Sequence, residues 1–260
     1  MDCLKWLLRA WRTSQTRLSQ SGSLSPATMT TEPHPPRVDE PMIGVLFPGC
    51  HESRRAMFVE PINSALSKIG ATTKARAAAF IGQIGHESLD LRYMREIWSP
   101  KTITAQQHYE RDRACAWPPT DADPTNRKAW LLGNSEPGDG FAFRGAGPLQ
   151  VTGRGNVAAG SRWLYGDGRL LIRPELLDLV DVGFGLACWF WMAGANQRLS
   201  RAAAIRLTEQ GYPLETFCLN DCADRGDWHT LTMAINGGLL GFSNRLARID
   251  RALGVLYAVR

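Results

Sequence analysis

The stretch Thr72-Thr73-Lys74-Ala75-Arg76-Ala77-Ala78-Ala79-Phe80-Ile81-Gly82-Gln83-Ile84-Gly85-His86-Glu87-Ser88 carries both the fold signal and the first reactive group of the chain. Thr72 or Thr73 suits an N-cap, because a short hydroxyl side chain can accept from the free N–H groups of the first turn. Ala77, Phe80, Ile81 and Ile84 then recur at i, i+3, i+4 spacing, which builds one apolar stripe on a helix. Glu87 follows three residues after Ile84 and seven after Phe80. It therefore falls on the buried edge, where a carboxyl resists ionisation and can keep the proton that a general acid must donate. The same position equally fits a carboxylate paired with an arginine, and spacing leaves the two open. A zinc-protease reading of His86-Glu87 requires a second His four residues after the first; Asp90 stands there instead.

A second carboxylate, Glu96, follows in Tyr93-Met94-Arg95-Glu96-Ile97-Trp98. On one continuous helix the intervening residues would turn by ~900°, placing Glu87 and Glu96 on opposite sides. Cooperation requires the helix to end near Ser88 and the chain to return. An acid and a water-activating base flanking a glycosidic bond stand ~6.5–9.5 Å apart, which such a return can supply. Further along, Phe141-Ala142-Phe143-Arg144-Gly145-Ala146-Gly147-Pro148-Leu149-Gln150-Val151-Thr152-Gly153-Arg154-Gly155-Asn156 combines glycines with short neutral hydrogen-bonding groups. Gln150, Thr152 and Asn156 suit sugar hydroxyls, acetamides or a held water, although the composition equally fits a structural loop. Its spacing is not that of a phosphate-binding glycine loop. Asn236-Gly237-Gly238 is another polar turn, followed by Arg245 at the start of the last predicted helix.

Helical periodicity also marks Leu66 and Ile69, Leu176 to Ala193, Arg201 to Glu209 and Leu246 to Val259, so the fold class is mainly α. The 260 residues are 44% hydrophobic and 21% charged, enough for one sizeable core. Twenty-five Gly and fifteen Pro fall well below the ~25–30% of low-complexity chains. The longest nearly apolar run, Val182 to Ala193, is shorter than the ~18–20 residues needed to cross a bilayer, so no integral membrane segment is expected. A net charge of +5, spread along the chain, gives no concentrated basic stripe for nucleic acid. Six cysteines are too few for a disulfide scaffold and are expected as thiols. Cys218, Cys222 and His229 lack the fourth partner of a tetrahedral site, so neither metal nor cofactor is expected. Residues 1–41 read as a flexible extension: a short basic amphipathic start at 1–12, then a stretch rich in Ser, Thr and Pro with little to bury. Residues 42–260 read as the catalytic domain. No secretory signal is recognisable, so a cytoplasmic protein released later to its substrate is expected.

Four separated segments, Phe80 to Ser88, Gly133 to Gly140, Gly145 to Asn156 and Ile235 to Gly238, together resemble the family 19 glycoside hydrolases: chitinases and related phage-type endolysins. The resemblance runs from about Phe47 to Leu256. It implies a mainly helical, lysozyme-like fold of two lobes around a substrate cleft, and metal-free inverting hydrolysis of β-1,4-linked N-acetylhexosamine polymers by a monomer. Carried over, it makes Glu87 the general acid and Glu96 the base, with Thr152 helping to hold the attacking water. His86, Gln150, Asn156 and Asn236 would contact the polysaccharide, and Arg245 would be the electrostatic partner of the carboxylates. The sequence departs from the family at Ala146, where an arginine is usual, and at Val157 and Ile249, where aromatics are usual; the first removes a cation expected near the cleft. The leading expectation is an endolysin acting on peptidoglycan glycan strands, against a true chitinase, a catalytically silent glycan-binding protein and a nucleic-acid binder.

Overall fold

The computed structural model describes residues 34–99, 101, 106–197 and 201–258; the N-terminal pattern at 1–12 and Cys3 lie outside them. The folded chain starts earlier than its composition predicts. Val38 is wholly buried, and the Asn63 amide grips its backbone from both sides, accepting from Val38 N at 2.8 Å and donating to Val38 O at 2.7 Å. The Asp39 side chain accepts from Met42 N at 2.9 Å and caps α1 (Glu40–Leu46). The boundary drawn at residue 42 is therefore too late: one valine and one cap are enough to dock the residues before it.

Helix α2 (Glu52–Lys68) buries Phe58, Ile62, Ala65 and Leu66. Helix α3 (Lys74–Glu87) is capped by Thr73, whose hydroxyl accepts from Arg76 N at 3.2 Å. Every residue from Ala77 to Gly85 is buried, so α3 is a central helix rather than the one-sided helix its periodicity predicts. Small residues make this possible, because glycines and alanines let neighbours close on every face. The loop and helix segments α4 (Arg127–Leu132), α5 (Asp139–Ala142), α6 (Arg154–Tyr165) and α7 (Arg169–Ile172) follow.

The predicted helix over Leu176 to Ala193 is broken into three parts. A 3-10 turn (Pro174–Asp178) ends at Leu179, whose extended backbone (ψ 132°) separates it from α8 (Val180–Trp189). A π-helical stretch (Phe190–Gly194) continues from α8 into α9 (Ala195–Gln197). The chain closes with α10 (Arg201–Glu209), α11 (Leu219–Arg225), α12 (Trp228–Asn236) and α13 (Phe242–Ala258). Helices α3 and α13 form the most extensive pairing in the fold. Gly82 sets their spacing, since a Cβ there would lie 2.6 Å from Ile249 Cγ1. Phe80 meets Trp191 edge-on with centroids 5.2 Å apart, and the Trp191 indole N–H donates to Asn220 at 2.8 Å. No named strand occurs among the described residues; isolated bridges join Arg95 to Ala146 and Ala146 to Val151. No described helix is long and apolar enough to cross a membrane.

Candidate active site

Helix α3 stops at Glu87, and the chain reverses through Leu89, Asp90 and Leu91, all in the left-handed region (φ 49°, 62° and 61°). For L-residues this conformation costs roughly 1–2 kcal/mol each, so it needs support. Ser88 supplies it: its hydroxyl donates to Ile84 O at 2.6 Å and accepts from Leu91 N at 2.8 Å. Asp90 N donates to Gly85 O at 2.8 Å, and the Asp90 carboxylate pairs with Arg248 and accepts from Gly49 N at 3.1 Å. The return demanded by the separation of the two carboxylates is built from this turn. It leaves Glu87 at the helix end and lets Tyr93 to Ile97 run back past it.

Of the two surroundings that spacing left open for Glu87, the ion pair is the one present. Arg245, only 2% exposed, donates through Nη2 to Glu87 Oε1 and through Nη1 to Gln83 Oε1, both at 2.5 Å. The other carboxylate oxygen of Glu87 takes no hydrogen bond among the described residues. Helix α13 thus positions the carboxylate of α3. His86, one residue away, points elsewhere: its Nδ1 lies 2.8 Å from Asn244 Oδ1, which also accepts from Arg248 at 2.8 Å. An oxygen accepting from both assigns the proton to Nδ1, and burial lowers the His86 pKa from its ordinary 6.5.

Glu96 is held by an irregular segment. Its backbone N–H donates to Gly145 O at 2.8 Å, and Gly145 N returns a bond of 3.0 Å to Glu96 Oε2. Gln106 donates to Glu96 Oε1 at 3.1 Å. Tyr109 lines the cleft beside Glu96, and burial first, then that carboxylate, raises the tyrosine pKa above its ordinary 10. Gly145 is required here, since a Cβ would lie 2.5 Å from Gln150 Oε1 and 3.2 Å from Glu96 Cβ. Neighbouring Arg95 faces away, donating to Arg144 O and Ala142 O at 2.9 and 3.0 Å, with Asp178 at 2.9 Å. Burial, then the Arg144 charge, lowers its pKa to about 10.

Both carboxylates line one cleft of about 410 Å³. Gln150, Thr152, Asn156 and Asn236 line it too. Gln150 takes a left-handed backbone (φ 52°) and donates to Gly147 O at 2.9 Å. The Thr152 hydroxyl donates to Gln150 O at 2.8 Å, which leaves its lone pairs for another donor. The Asn156 amide donates to Thr152 O at 2.7 Å and braces that turn. His86 and Arg245 do not line the cleft. Arg245 acts through Glu87, and the His86 ring sits under Gly241, where a Cβ would collide with it. The three departures from the family pattern are all buried: Ala146, Val157 and Ile249 are 0% exposed. The cation expected at position 146 would not face the cleft; the nearby guanidinium is Arg144, which donates to Glu96 O at 3.0 Å.

Five cleft residues escaped sequence reasoning: Tyr109, Lys128, Leu132, Phe190 and Ala234. Phe190 belongs to the π-helical stretch, which turns it to the cleft between buried Trp189 and Trp191. Tyr109 is placed by the Gly133–Gly140 segment. Wholly buried Asn134 donates to Tyr109 O at 2.9 Å and accepts from Arg154 N at 2.8 Å. Asp139 binds Arg154 through two bonds of 2.7 Å. That segment is therefore a brace, and its acidic residues stand outside the cleft. The five described cysteines are free thiols, and burial pushes Cys188 and Cys222 up to about 12. Among the described residues no group of three or more His, Cys, Asp or Glu could hold a metal.

A glycosyl hydrolase family 19 domain-containing protein of Haemophilus influenzae is 27% identical over 210 residues, covering 75% of this chain and 87% of that protein. Chitinase C from Streptomyces griseus HUT6037 shares the fold with a TM-score of 0.54 at 19% identity, over 85% of this chain and 92% of that one. A bacterial family 19 chitinase gives 0.54 at 20% identity, over 84% and 94%. No protein-family model matches the chain. The structural likenesses show that the chain shares the mainly helical fold of these chitinases, and the curated relative carries a family 19 classification.

Proposed function

We propose, starting from that classification, that the chain is an inverting glycosidase acting on β-1,4-linked N-acetylhexosamine polymers, and on peptidoglycan glycan strands in particular. The observation that carries this reading is the pair of carboxylates lining one cleft with unlike partners: Glu87 on a buried guanidinium, Glu96 on a backbone N–H and an amide. Glu87, in its protonated form, would donate to the glycosidic oxygen from the oxygen that Arg245 leaves free. Glu96 would take a proton from water on the other face of the sugar. The second hydrogen would stay on the water and donate a hydrogen bond to the Thr152 hydroxyl oxygen, whose own hydrogen is committed to Gln150 O, so that the water lone pair points at the anomeric carbon. Gln150, Asn156 and Asn236 would meet hydroxyl and acetamide groups along the cleft.

Attack by water on the face opposite the leaving group inverts the anomeric centre, whereas a retaining route needs carboxyls only ~5–5.5 Å apart or an acetamide nucleophile. Proton NMR in the first minutes of hydrolysis should show an α product from the β-linked substrate; a β product at that stage would remove Glu96 and Thr152 from these roles. The substrate is decided by setting turbidity loss of permeabilised bacterial cells beside release from chitin oligomers. Faster action on the cells supports the peptidoglycan reading. Action on chitin oligomers alone would replace it with a true chitinase.

A further inference from the structure

We infer that Lys128 is a specificity-determining residue of this cleft, which seats a carboxylate carried by the sugar polymer. The inference rests on the glycan-binding reading above and names the feature of the glycan that is read.

Lys128 and Leu132 are four residues apart on α4, hence on one face, and both line the cleft. Lys128 Nζ stands 5.7 Å from the centroid of the Tyr109 ring, and Tyr109 lines the same cleft as Glu96. The ammonium is thus one aromatic ring away from the carboxylate assigned to water activation. Glu87 and Glu96 are the other charged residues lining the cleft, so Lys128 is the sole cation among the described lining residues. Glu87 is matched by Arg245, whereas no described carboxylate pairs with Lys128. The helix is firmly held for this purpose. Asn126, 1% exposed, accepts from Asp112 N at 2.7 Å and donates to Asp112 O and Ala116 O at 2.8 and 3.0 Å, which pins the segment leading into α4.

An unpaired ammonium gains little from a neutral polymer of N-acetylglucosamine, whose groups are hydroxyls and acetamides. It gains a charge-assisted hydrogen bond from a polymer in which alternate sugars carry an acidic 3-O substituent. That carboxylate has two sources: the lactyl group itself, once the stem peptide is removed, or the acidic residues of the peptide attached to it.

The test compares wild type with Lys128→Met and Lys128→Arg on three substrates: chitohexaose, glycan strands stripped of peptide by an amidase, and strands keeping their peptides. We expect Lys128→Met to lower the ratio of acidic-strand to chitohexaose kcat/KM about fivefold to tenfold, mostly through KM, the range for a charged hydrogen bond at a partly exposed site. Lys128→Arg should recover most of the ratio. A fall on stripped strands assigns the lactyl group, and a fall only on intact strands assigns the peptide. An unchanged ratio, or an equal loss on all three substrates with a shifted pH profile, overturns the inference and leaves Lys128 as a support for Tyr109. The same ratio read as affinity by calorimetry decides the matter without turnover. If the protein hydrolyses none of the substrates but the affinity ratio still falls, the glycosidase reading fails and this one stands.

Discussion

The two walls of the cleft present like groups by unlike means. Glu87 ends a helix buried from Ala77 to Gly85 and is gripped by Arg245 of α13, which also holds Gln83 one turn earlier. Glu96 lies in an irregular segment held to Gly145 by a backbone bond and by a return bond from Gly145 N to its carboxylate, and to Gln106 by a side-chain bond. The first wall is part of the core, so its geometry and the stability of the protein are the same property. The second is a set of hydrogen bonds between irregular, half-buried segments, and disturbing it is expected to cost the core less. The difference teaches where damage will be read: in unfolding for one wall, in turnover for the other.

The largest expected effect removes the chemistry itself. Glu87→Gln should lower kcat by ~10³-fold, within the 10²–10⁴ of general acid catalysis, in a protein that still folds; near-wild-type turnover would refute the assignment. Glu96→Gln should cost ~10²-fold in kcat and leave oligosaccharide affinity within about threefold, because a base that activates water contributes mainly in the transition state. A loss confined to KM would make Glu96 a binding group.

Arg245→Met sharpens the contrast between the walls. Breaking a buried pair costs ~3–5 kcal/mol; with Glu87 21% exposed, about 2–3 kcal/mol is expected, or ~4–12 °C in Tm. Arg144→Met, on the other wall, should move Tm by less than ~2 °C, as surface changes do. Equal shifts in a calorimetric scan would erase the distinction drawn here.

Gly145→Ala reverses it. The added methyl must displace Gln150 or Glu96, and small misplacements of reacting groups cost up to ~10²-fold. We expect about tenfold in kcat with Tm nearly unchanged; a large fall in Tm with normal specific activity would show that this wall too is structural.

A modest effect is expected away from the cleft. A protein starting at Met42 loses buried Val38 and both its bonds to Asn63. A valine side chain is worth ~1.5 kcal/mol at most, less the entropy of ordering the segment, so Tm should fall by about 2–4 °C. An unchanged Tm would return the boundary to residue 42.

Much of the first wall was legible in the residues. A cap at Thr72 or Thr73 and the helix through Ile84 follow from local rules of capping and period, which act within a few residues, whereas an end near Ser88 followed only from requiring the two carboxylates to cooperate. The requirement that the chain turn back follows from arithmetic on nine residues of helix. The second wall was legible only in part. Glu96 and the glycine-rich loop could be picked out, but Tyr109, Lys128 and Phe190 could not. Tyr109 depends on Asn134 and Arg154, far along the chain, and Phe190 on a π-helical stretch that apolar periodicity does not register.

Composition and helical period by themselves determined a mainly α chain, a capped helix with one apolar stripe, two acidic candidates and a polar glycine loop, because these properties are local and repeat along the chain. Tertiary structure alone decided that Glu87 has an arginine rather than an apolar pocket, that His86 turns from the cleft, and that Ala146 is core. Each of those outcomes depends on which distant residue arrives opposite, and burial and charge pairing are properties of the assembled neighbourhood rather than of any segment.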